Sequence, residues 1–272
     1  MKRLATLAAL CCILAGCAAP SSPEPPSARP ERNLLLEREV DLDAGEAVAT
    51  LRASAPGADW SRRGSEGACF SLHLDGIYRS DIVLFRGETS FGYETLLGPV
   101  TAGKHKLVVY QELGKSATGA RQVRLDDVAV RTYRTGDPLY TVMAHAPILY
   151  GRDDARSSDT PLLSYHEITR NGTNTTIQYT YIFSNEDGGT AADALMARWG
   201  RLTDIEYVYR VTLDSGGQIL RAEYQDKDHN AATYLGAREG LHPLLKVVTT
   251  NNLFGEEGTS AYRFVLAPVQ TL

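Results

Sequence analysis

Short runs of alternating apolar and polar residues, separated by Gly, Pro and Asn turns, are the feature that most restricts the fold of this chain. The clearest run is Asp204–Leu213, in which every odd-numbered residue is aliphatic or aromatic. A period of two residues is typical of a strand with one buried face. Ser215-Gly216-Gly217 follows and indicates a hairpin turn into the next run. We therefore predict an all-β, mainly antiparallel protein.

The distribution of these runs predicts two domains. Residues 34–137 contain short strands, such as those over residues 70–74 and Arg124–Tyr133, and no segment of helical period. We predict a jelly-roll-like β-sandwich there. Residues 138–272 hold most of the 14 Tyr of the chain, and we predict a second, mostly-β domain with one short helix.

The predicted helix lies just before the clearest strand. Residues 190–193, Thr-Ala-Ala-Asp, are typical of a helix N-terminus, and Gly200 is typical of a helix end. We expect Leu195, Met196 and Trp199 to form the buried stripe of this helix.

Composition excludes several classes of function. The net charge is −5 and no block of Lys or Arg is present, so we predict no nucleic-acid partner. The sequence has no phosphate-binding Gly loop and no dinucleotide fingerprint, and its histidines lack metal-ligand spacing, so we predict no cofactor and no metal. We expect Cys69, which follows a turn region and begins an alternating run, to be a buried thiol.

The N-terminus carries an independent signal. The apolar run over residues 4–14 is shorter than the roughly 20 residues that a membrane-spanning helix needs. The motif that follows, Leu14-Ala15-Gly16-Cys17, resembles the lipobox of bacterial lipoproteins. The resemblance implies that residues 1–16 are a signal peptide removed before Cys17. It also implies that acyl chains such as palmitate are attached to Cys17.

Residues 17–33 are rich in Pro and poor in large apolar side chains, so we predict an extended tether. The tether would hold the folded body off a membrane to which the lipid anchors it. In lipoproteins of this kind, the residue after the lipidated Cys influences sorting, and a residue other than Asp resembles an outer-membrane signal. Ala18 occupies this position. We expect a location in the bacterial cell envelope, at the outer membrane.

The strongest candidate for chemistry is one face of the Asp204–Leu213 strand. Asp204 and Glu206 are two residues apart and point the same way, and Arg210 continues that face. Two carboxyl groups at this spacing suit acid–base work on a glycosidic bond. The same residues also suit a hydrated sheet face on which Arg210 balances the charge. The segment resembles the carboxylate strand of laminarinase-like glycosidases, but Leu202 and Tyr207 replace its outer two acids, so we infer no such activity.

Histidines are the second set of candidates. His166 and His242 could work with Asp204 or Glu206, and His145 is a candidate binding residue together with Arg210. Arg170 replaces the second His that a zinc-protease helix starting at His166 would need. The alternative is that His145 and His242, each beside a Pro, are turn or core residues.

Two looser resemblances concern whole segments. Residues 97–105 and 125–130 resemble the closing strands of jelly-roll carbohydrate-binding modules, which implies sugar binding by the first domain if it exposes aromatic side chains. Residues 145–150, 177–183, 204–211 and 239–243 together resemble the eukaryotic vacuolar-sorting-associated sixty-two family, which implies a fold and no activity.

The sequence favours a non-catalytic cell-envelope lipoprotein with a binding or structural role, whose partner is an envelope glycan or protein. The alternative is an envelope glycan hydrolase that uses Asp204, Glu206 and a nearby His. The two hypotheses differ in whether these side chains meet in one pocket with a carboxyl group of raised pKa.

Overall fold

A computed structural model describes residues 31–154, 159–186 and 192–270. The chain is all-β and mainly antiparallel, with two short helices, which confirms the predicted fold class. The predicted signal peptide, Cys17 and the tether up to residue 30 lie outside the described residues. Among the described residues, no helix has the length and apolar character needed to cross a membrane.

The first region forms two antiparallel sheets. Its strands are β1 (Arg32–Leu42), β2 (Gly45–Ser54), β3 (Ala68–Leu74), β4 (Ile77–Leu84), β5 (Phe91–Val100), β6 (Gly103–Glu112) and β7 (Arg124–Tyr133). One sheet has the order β1-β6-β3-β4 and the other β5-β2-β7. Side chains of both sheets, such as Leu51 and Phe70, share one buried core. The jelly-roll character of residues 34–137 stays a prediction.

The first strand starts inside the segment predicted to be a tether. Arg32 and Asn33 already pair with Glu112 and Gln111 of β6. The Pro-rich composition therefore ends at Pro30, and the backbone hydrogen bonds of the sheet edge bring the next residues into the fold.

The second region also forms two sheets. Its elements are α1 (Tyr140–Ala144), β8 (Ile148–Tyr150), β9 (Pro161–Asn171), β10 (Asn174–Phe183), α2 (Ala192–Trp199), β11 (Asp204–Leu213), β12 (Ile219–Gln225), β13 (Ala231–Thr233), β14 (Arg238–Glu239), β15 (His242–Val247), β16 (Phe254–Gly255), β17 (Arg263–Phe264) and β18 (Val269–Gln270). The larger sheet has the order β13-β12-β11-β10-β9-β18, and the smaller one β14-β15-β8-β17 with β16 beside β15. β8–β15 and β9–β18 are the parallel pairs.

The helices differ from the prediction in two ways. Sequence analysis predicts one helix, but α1 is a second one, whose five residues are too few to show a helical period. The predicted buried stripe of α2 is wrong in part. Leu195 is buried, whereas Met196 is 50% exposed and Trp199 is 49% exposed. Among the side chains of α2 that the structure describes, that of Leu195 is buried and the others lie at the surface.

A β-bulge in β11 interrupts the alternation that the sequence predicts. Tyr209 pairs with Tyr179, but the next pair along the strands is Tyr207 with Thr180, so Val208 is an extra residue in β11. An extra residue moves every side chain beyond it to the other face of the sheet. Even-numbered residues therefore face the core at the beginning of β11, and odd-numbered residues face it beyond the bulge.

The two regions share buried contacts. Val48, Val83 and Leu96 of the first region belong to the same apolar core as Leu149 and Phe264 of the second. Thr95 Oγ1 of β5 also donates to the Val265 carbonyl oxygen at 2.8 Å. The division between residues 137 and 138 stays a prediction, but the strands on either side of it are packed against each other.

Cys69 lies in β3 and is 1% exposed. Burial raises the pKa of its thiol well above the ordinary value. The prediction of a buried thiol is confirmed, and a raised pKa disfavours the reactive thiolate form.

Candidate functional site

Asp204 and Glu206 lie on the core-facing side of β11, at the end where the strand begins. Asp204 pairs with Phe183 and Glu206 pairs with Tyr181. Both aromatic partners are fully buried, and residues directly opposite in a sheet share a face. The expectation of a hydrated sheet face is therefore wrong for this pair.

Asp204 is held by hydrogen bonds in a buried position. It is 3% exposed, and its Oδ1 accepts the Ile205 N–H at 2.9 Å. Asn252 Nδ2 donates to Asp204 Oδ2 at 3.1 Å and to the Asn185 carbonyl oxygen at 2.9 Å. Burial raises the pKa of Asp204, while the bond from Asn252 acts in the opposite direction.

Glu206 carries the most strongly perturbed carboxyl group of this site. Burial, and next the charge of Asp204, raise its pKa to about 7. Glu186 adds to the increase, whereas a hydrogen bond from Gln225 and the charge of Arg201 oppose it. Near neutral pH, Glu206 therefore exchanges between its protonated and ionised forms.

In addition to burial, the charge of Glu186 raises the pKa of both Asp204 and Glu206, and we name these three residues the acid cluster. The cation that acts on the cluster is Arg201, whose Nη1 lies 3.9 Å from Glu186 Oε2. Arg201 also donates to the Thr203 carbonyl oxygen, so part of its hydrogen-bonding capacity is used by the backbone.

Two buried acceptor atoms at this cluster have no hydrogen-bond donor among the described residues. They are Gln225 Oε1 and Glu186 Oε2. Gln225 is 6% exposed, and its Nε2 lies 3.1 Å from His229 Nδ1. Buried polar atoms are nearly always satisfied in folded proteins, so these two acceptors are exceptions within the part of the chain that the structure describes.

An apolar cleft of about 290 Å³ lies between the two regions of the chain. Its lining is Trp60, Phe85, Leu162, Ser184, Asn185, Leu202 and Thr203. Trp60 Nε1 donates to the Phe85 carbonyl oxygen at 3.2 Å, which fixes the indole ring. Asn185 and Thr203 are the chain neighbours of Glu186 and Asp204, but the lining of the cleft includes no side chain of the acid cluster.

The structure places the candidate histidines elsewhere. His242 Nδ1 lies 2.7 Å from the Ala146 carbonyl oxygen, and its Nε2 lies 3.1 Å from Glu46 Oε2. His145 is 2% exposed, and burial, followed by the charges of Arg238 and His242, lowers its pKa to about 4. These two histidines therefore lie near each other at the contact between the two regions, where they serve packing.

His166 is also a core residue. It is 1% exposed, and its Nδ1 lies 3.2 Å from the Pro268 carbonyl oxygen. In the sheet it pairs with Tyr179, which is four positions along β10 from Phe183, the partner of Asp204. Among the described residues, none of the groups that shift the pKa of Asp204 or Glu206 is a histidine. The expected meeting of His166 or His242 with the acid pair is therefore not observed.

Arg210 lies on the outer face of the sheet, opposite the acid pair. Its Nη2 and Nε donate to Gln178 Oε1 at 2.5 Å and 3.0 Å. Its guanidinium lies 5.0 Å from the centre of the Tyr207 ring. The prediction that Arg210 continues the face of Asp204 and Glu206 is wrong, because the bulge at Val208 separates them.

Several residues of the site were not predicted. Gln225, Asn252 and Glu186 come from different segments of the chain, and Trp60 and Phe85 come from the other region. The one available signal was Trp60, a large aromatic residue in a Gly-rich polar segment. Within the described ranges, no group of three or more His, Cys, Asp or Glu side chains is placed to hold a metal ion.

No known protein family and no curated protein matches this chain. Three solved structures are distantly similar. The C-terminal domain of EclA, a sugar-binding protein, is 15% identical with a TM-score of 0.27, over 36% of this chain and 66% of that one. NLPPya in complex with mannosamine is 11% identical with a TM-score of 0.34, over 48% and 70%.

The third is a family two carbohydrate esterase from Clostridium thermocellum in complex with cellohexaose. It is 13% identical with a TM-score of 0.23, over 43% of this chain and 30% of that one. The chain thus spans between 30% and 70% of the length of these three structures. At such TM-scores, no argument about ligand or activity rests on the likeness.

Proposed function

We propose that this protein is a lipid-anchored protein of the bacterial cell envelope that binds a glycan without cleaving it. The observation that carries the proposal is the cleft of about 290 Å³, whose lining includes the aromatic rings of Trp60 and Phe85. The proposed site combines side chains of both regions of the chain.

The chemistry of the cleft suits a sugar ring. Trp60 and Phe85 offer apolar ring surface against which the C–H face of a pyranose can pack. Ser184, Asn185 and Thr203 line the same cleft, and their polar groups can bond to ring hydroxyl groups. Ligand sites of this kind are mainly apolar with a few polar groups that fix orientation, and they begin at roughly 300 Å³.

The place in the envelope is supported by the resemblance of residues 14–17 to a lipobox. We infer that acyl chains on Cys17 anchor the protein to the outer membrane and that the Pro-rich tether places the cleft within reach of envelope polymers. Intact-mass analysis of the protein purified from membranes tests this. We expect a chain that starts at Cys17 and carries acyl groups, and a chain that retains Met1 or carries an unmodified Cys17 contradicts it.

Calorimetric titration of the protein, purified in detergent, with soluble envelope glycan fragments tests the proposed binding site. We expect Trp60→Ala to weaken binding at least tenfold, since truncation of a central aromatic anchor typically costs about 2 kcal/mol or more. Trp199→Ala is the matched control because Trp199 is 49% exposed and lies outside the cleft lining. Equal binding by wild type and Trp60→Ala contradicts the proposal.

Glu206 favours one alternative function, glycan hydrolysis. A carboxyl group with a pKa of about 7 is suited to act as a general acid near neutral pH. Against hydrolysis, Asp204 is 3% exposed and bonded to Asn252, so it is not presented to a substrate.

Incubation with dye-labelled envelope glycan separates the two functions. Binding predicts that no labelled product is released. Product release that is lost in Glu206→Gln establishes hydrolysis instead.

A further inference from the structure

We propose that α2 and the start of β11 form a docking surface for a phospholipid bilayer, so that the cleft end of the protein lies against the membrane. The inference rests on the lipid anchor of the proposed function, and it adds which face of the folded chain meets the lipid.

Exposed apolar side chains are concentrated along α2 and the start of β11. Met196, Trp199, Leu202 and Ile205 are each between 39% and 50% exposed. They are four of the fourteen large apolar residues that are exposed in the described chain, yet they fall within ten positions. Met196 and Trp199 are three positions apart in α2, which places them on one face of the helix. Single exposed apolar residues are ordinary, whereas a group of them indicates an interaction surface.

The chemistry of this docking surface suits the headgroup region of a bilayer. Trp is enriched at membrane–water interfaces because its ring is apolar and its N–H is polar. The Arg198 guanidinium lies 4.6 Å from the centre of the Trp199 ring, so a cation accompanies the ring to the level of the lipid phosphates. Asp193, the acidic residue of α2, lies in the first turn, at the other end of the helix. Basic and aromatic side chains together are typical of helices that lie in the interface.

The predicted tether enters the fold at one end of the four-stranded sheet. Arg32, the first residue of β1, pairs with Glu112, the last residue of β6. β3 is antiparallel to β6, and β4 is antiparallel to β3. β3 therefore begins and β4 ends at the same end of the sheet at which the tether enters.

The cleft and the docking surface lie at that end too. Phe85 directly follows β4, and its carbonyl oxygen accepts the Trp60 N–H. Leu202, which belongs to the docking surface, lines the same cleft as these two rings. Neighbouring strands are about 4.8 Å apart, so three spacings place Arg32 and Phe85 about 15 Å apart. An anchor at this end therefore favours contact of the docking surface, rather than of the opposite end, with the lipid.

The length of the tether makes a weak affinity sufficient. Glu31, the first described residue, is fourteen positions after Cys17. A fully extended chain spans at most about 3.5 Å per residue, so the anchor keeps this end within about 50 Å of the membrane. A surface held this close has an effective concentration in the millimolar range, and a few side chains are then enough to hold the fold against the lipid.

Quenching of Trp fluorescence by brominated lipid tests the inference. The chain contains two Trp, so the variant Trp60→Phe retains Trp199 as its single reporter. The acylated chain is reconstituted into vesicles of phosphatidylethanolamine and phosphatidylglycerol whose acyl chains carry bromine near the headgroup. We expect the emission of Trp199 to fall at least about twofold and to shift to the blue, because a Trp ring in the interface contacts the upper acyl chains.

An Ile77→Trp reporter is the matched control. Ile77 is 55% exposed and begins β4, at the opposite end of the four-stranded sheet. The reporter is placed in a chain in which Trp60 and Trp199 are both replaced by Phe, and we expect no quenching of its emission.

A second pair of variants tests the docking surface itself in the Trp60→Phe chain. We expect Met196→Asp to reduce the quenching of Trp199 at least about twofold, because a carboxylate on the apolar face opposes insertion. Leu220→Asp is its control, since Leu220 is as exposed as Met196 but lies in β12 beside the far end of β11. Equal effects of the two variants contradict the assignment of this surface.

The outcomes separate this inference from the proposed function. Equal quenching of Trp199 and of the Ile77→Trp reporter shows contact without a preferred face and overturns the inference. Protein that floats with the vesicles while Trp199 is not quenched retains the lipid anchor and overturns the docking surface. Protein that does not float with the vesicles contradicts the anchor, and the inference fails with it. None of these results affects the cleft, which the glycan titration tests separately.

Discussion

Two of the places at which this molecule buries charged groups differ in how these groups are paired. At the contact between the two regions, Arg263, Lys115 and Glu46 each lie against a group of opposite charge, although Asp81 Oδ1 and Arg79 Nε have no hydrogen-bond partner among the described residues. At the acid cluster, Arg201 is the cation that acts on the carboxyl groups, and two acceptors have no donor among the described residues.

Arg263 illustrates the matched case. It is 6% exposed, and its two terminal nitrogens donate to the two oxygens of Glu239 at 2.8 Å and 2.7 Å. Its Nη1 also donates to Tyr150 OH at 2.9 Å, and its Nε donates to the Arg79 carbonyl oxygen at 2.7 Å. The last contact joins the two regions of the chain.

Two other pairs follow the same rule. Lys115 Nζ lies 2.6 Å from Asp81 Oδ2 and donates to the Ala261 carbonyl oxygen at 2.6 Å. Glu46 lies 3.1 Å from His242. An opposite charge beside each of these groups suits a structural role, because an uncompensated buried ion is costly.

The largest effect that we expect comes from breaking the matched side of this comparison. Arg263→Met removes a buried guanidinium and leaves Tyr150 and the Arg79 carbonyl without their donor, so the free energy of unfolding should fall by about 3 kcal/mol. Urea denaturation at pH 7 measures it.

Arg131→Met is the control for this prediction. The Arg131 side chain is 55% exposed and lies 3.5 Å from Glu94, and we expect a loss below about 0.5 kcal/mol. Similar losses in the two variants would show that the network around Arg263 does not hold the regions together.

Substitution of Glu206 in the acid cluster should change the free energy of unfolding by less, and in the stabilising direction. Because the pKa of Glu206 is raised from an ordinary 4.5 to about 7, the folded chain retains a proton that the unfolded chain has lost between these values. The contribution of Glu206 to the stability of the folded chain is therefore fully present at pH 4 and is lost as the pH rises through 7.

Glu206→Gln removes the free-energy cost of ionising this buried carboxyl group. We expect the variant to gain on the wild type as the pH rises, by about 1–2 kcal/mol at pH 8 and by nothing at pH 4. Denaturation curves of both proteins across this range provide the test. A variant that is less stable than the wild type at pH 8 would assign Glu206 a structural role.

An exposed pair sets the lower limit of the comparison. Lys104 Nζ lies 2.7 Å from Glu39 Oε1, with side chains 71% and 62% exposed. We expect Lys104→Ala to change the free energy of unfolding by about 0.5 kcal/mol or less, and the change to vanish at high salt. A larger loss in the same denaturation assay would mean that surface pairs also stabilise this fold.

Local patterns predicted the elements of the fold well. The bounds of β7 and β11 agree with the sequence prediction, because alternation and turn residues are both visible within ten positions. The stripe of α2 was predicted incorrectly for Met196 and Trp199, since a stripe predicts burial only where another element covers it.

Features that depend on distant partners were not predictable. Glu46 and His242 are 196 residues apart in the chain, and the cleft combines Trp60 with Thr203. The bulge at Val208 was hidden for a different reason. Val208 and its neighbour Tyr209 are both suited to a buried position, so the sequence is compatible with either choice, and only the register with β10 decides between them.

The bulge has a consequence for how the site could be lost or moved. The face to which a side chain points depends on whether its position along the strand is odd or even. A substitution does not change that position. Deletion of Val208 would turn Asp204 and Glu206 outward and bring Ile205 and Tyr207 into the interior. The site is therefore tolerant of many single replacements in β11 but sensitive to a change in strand length by one residue.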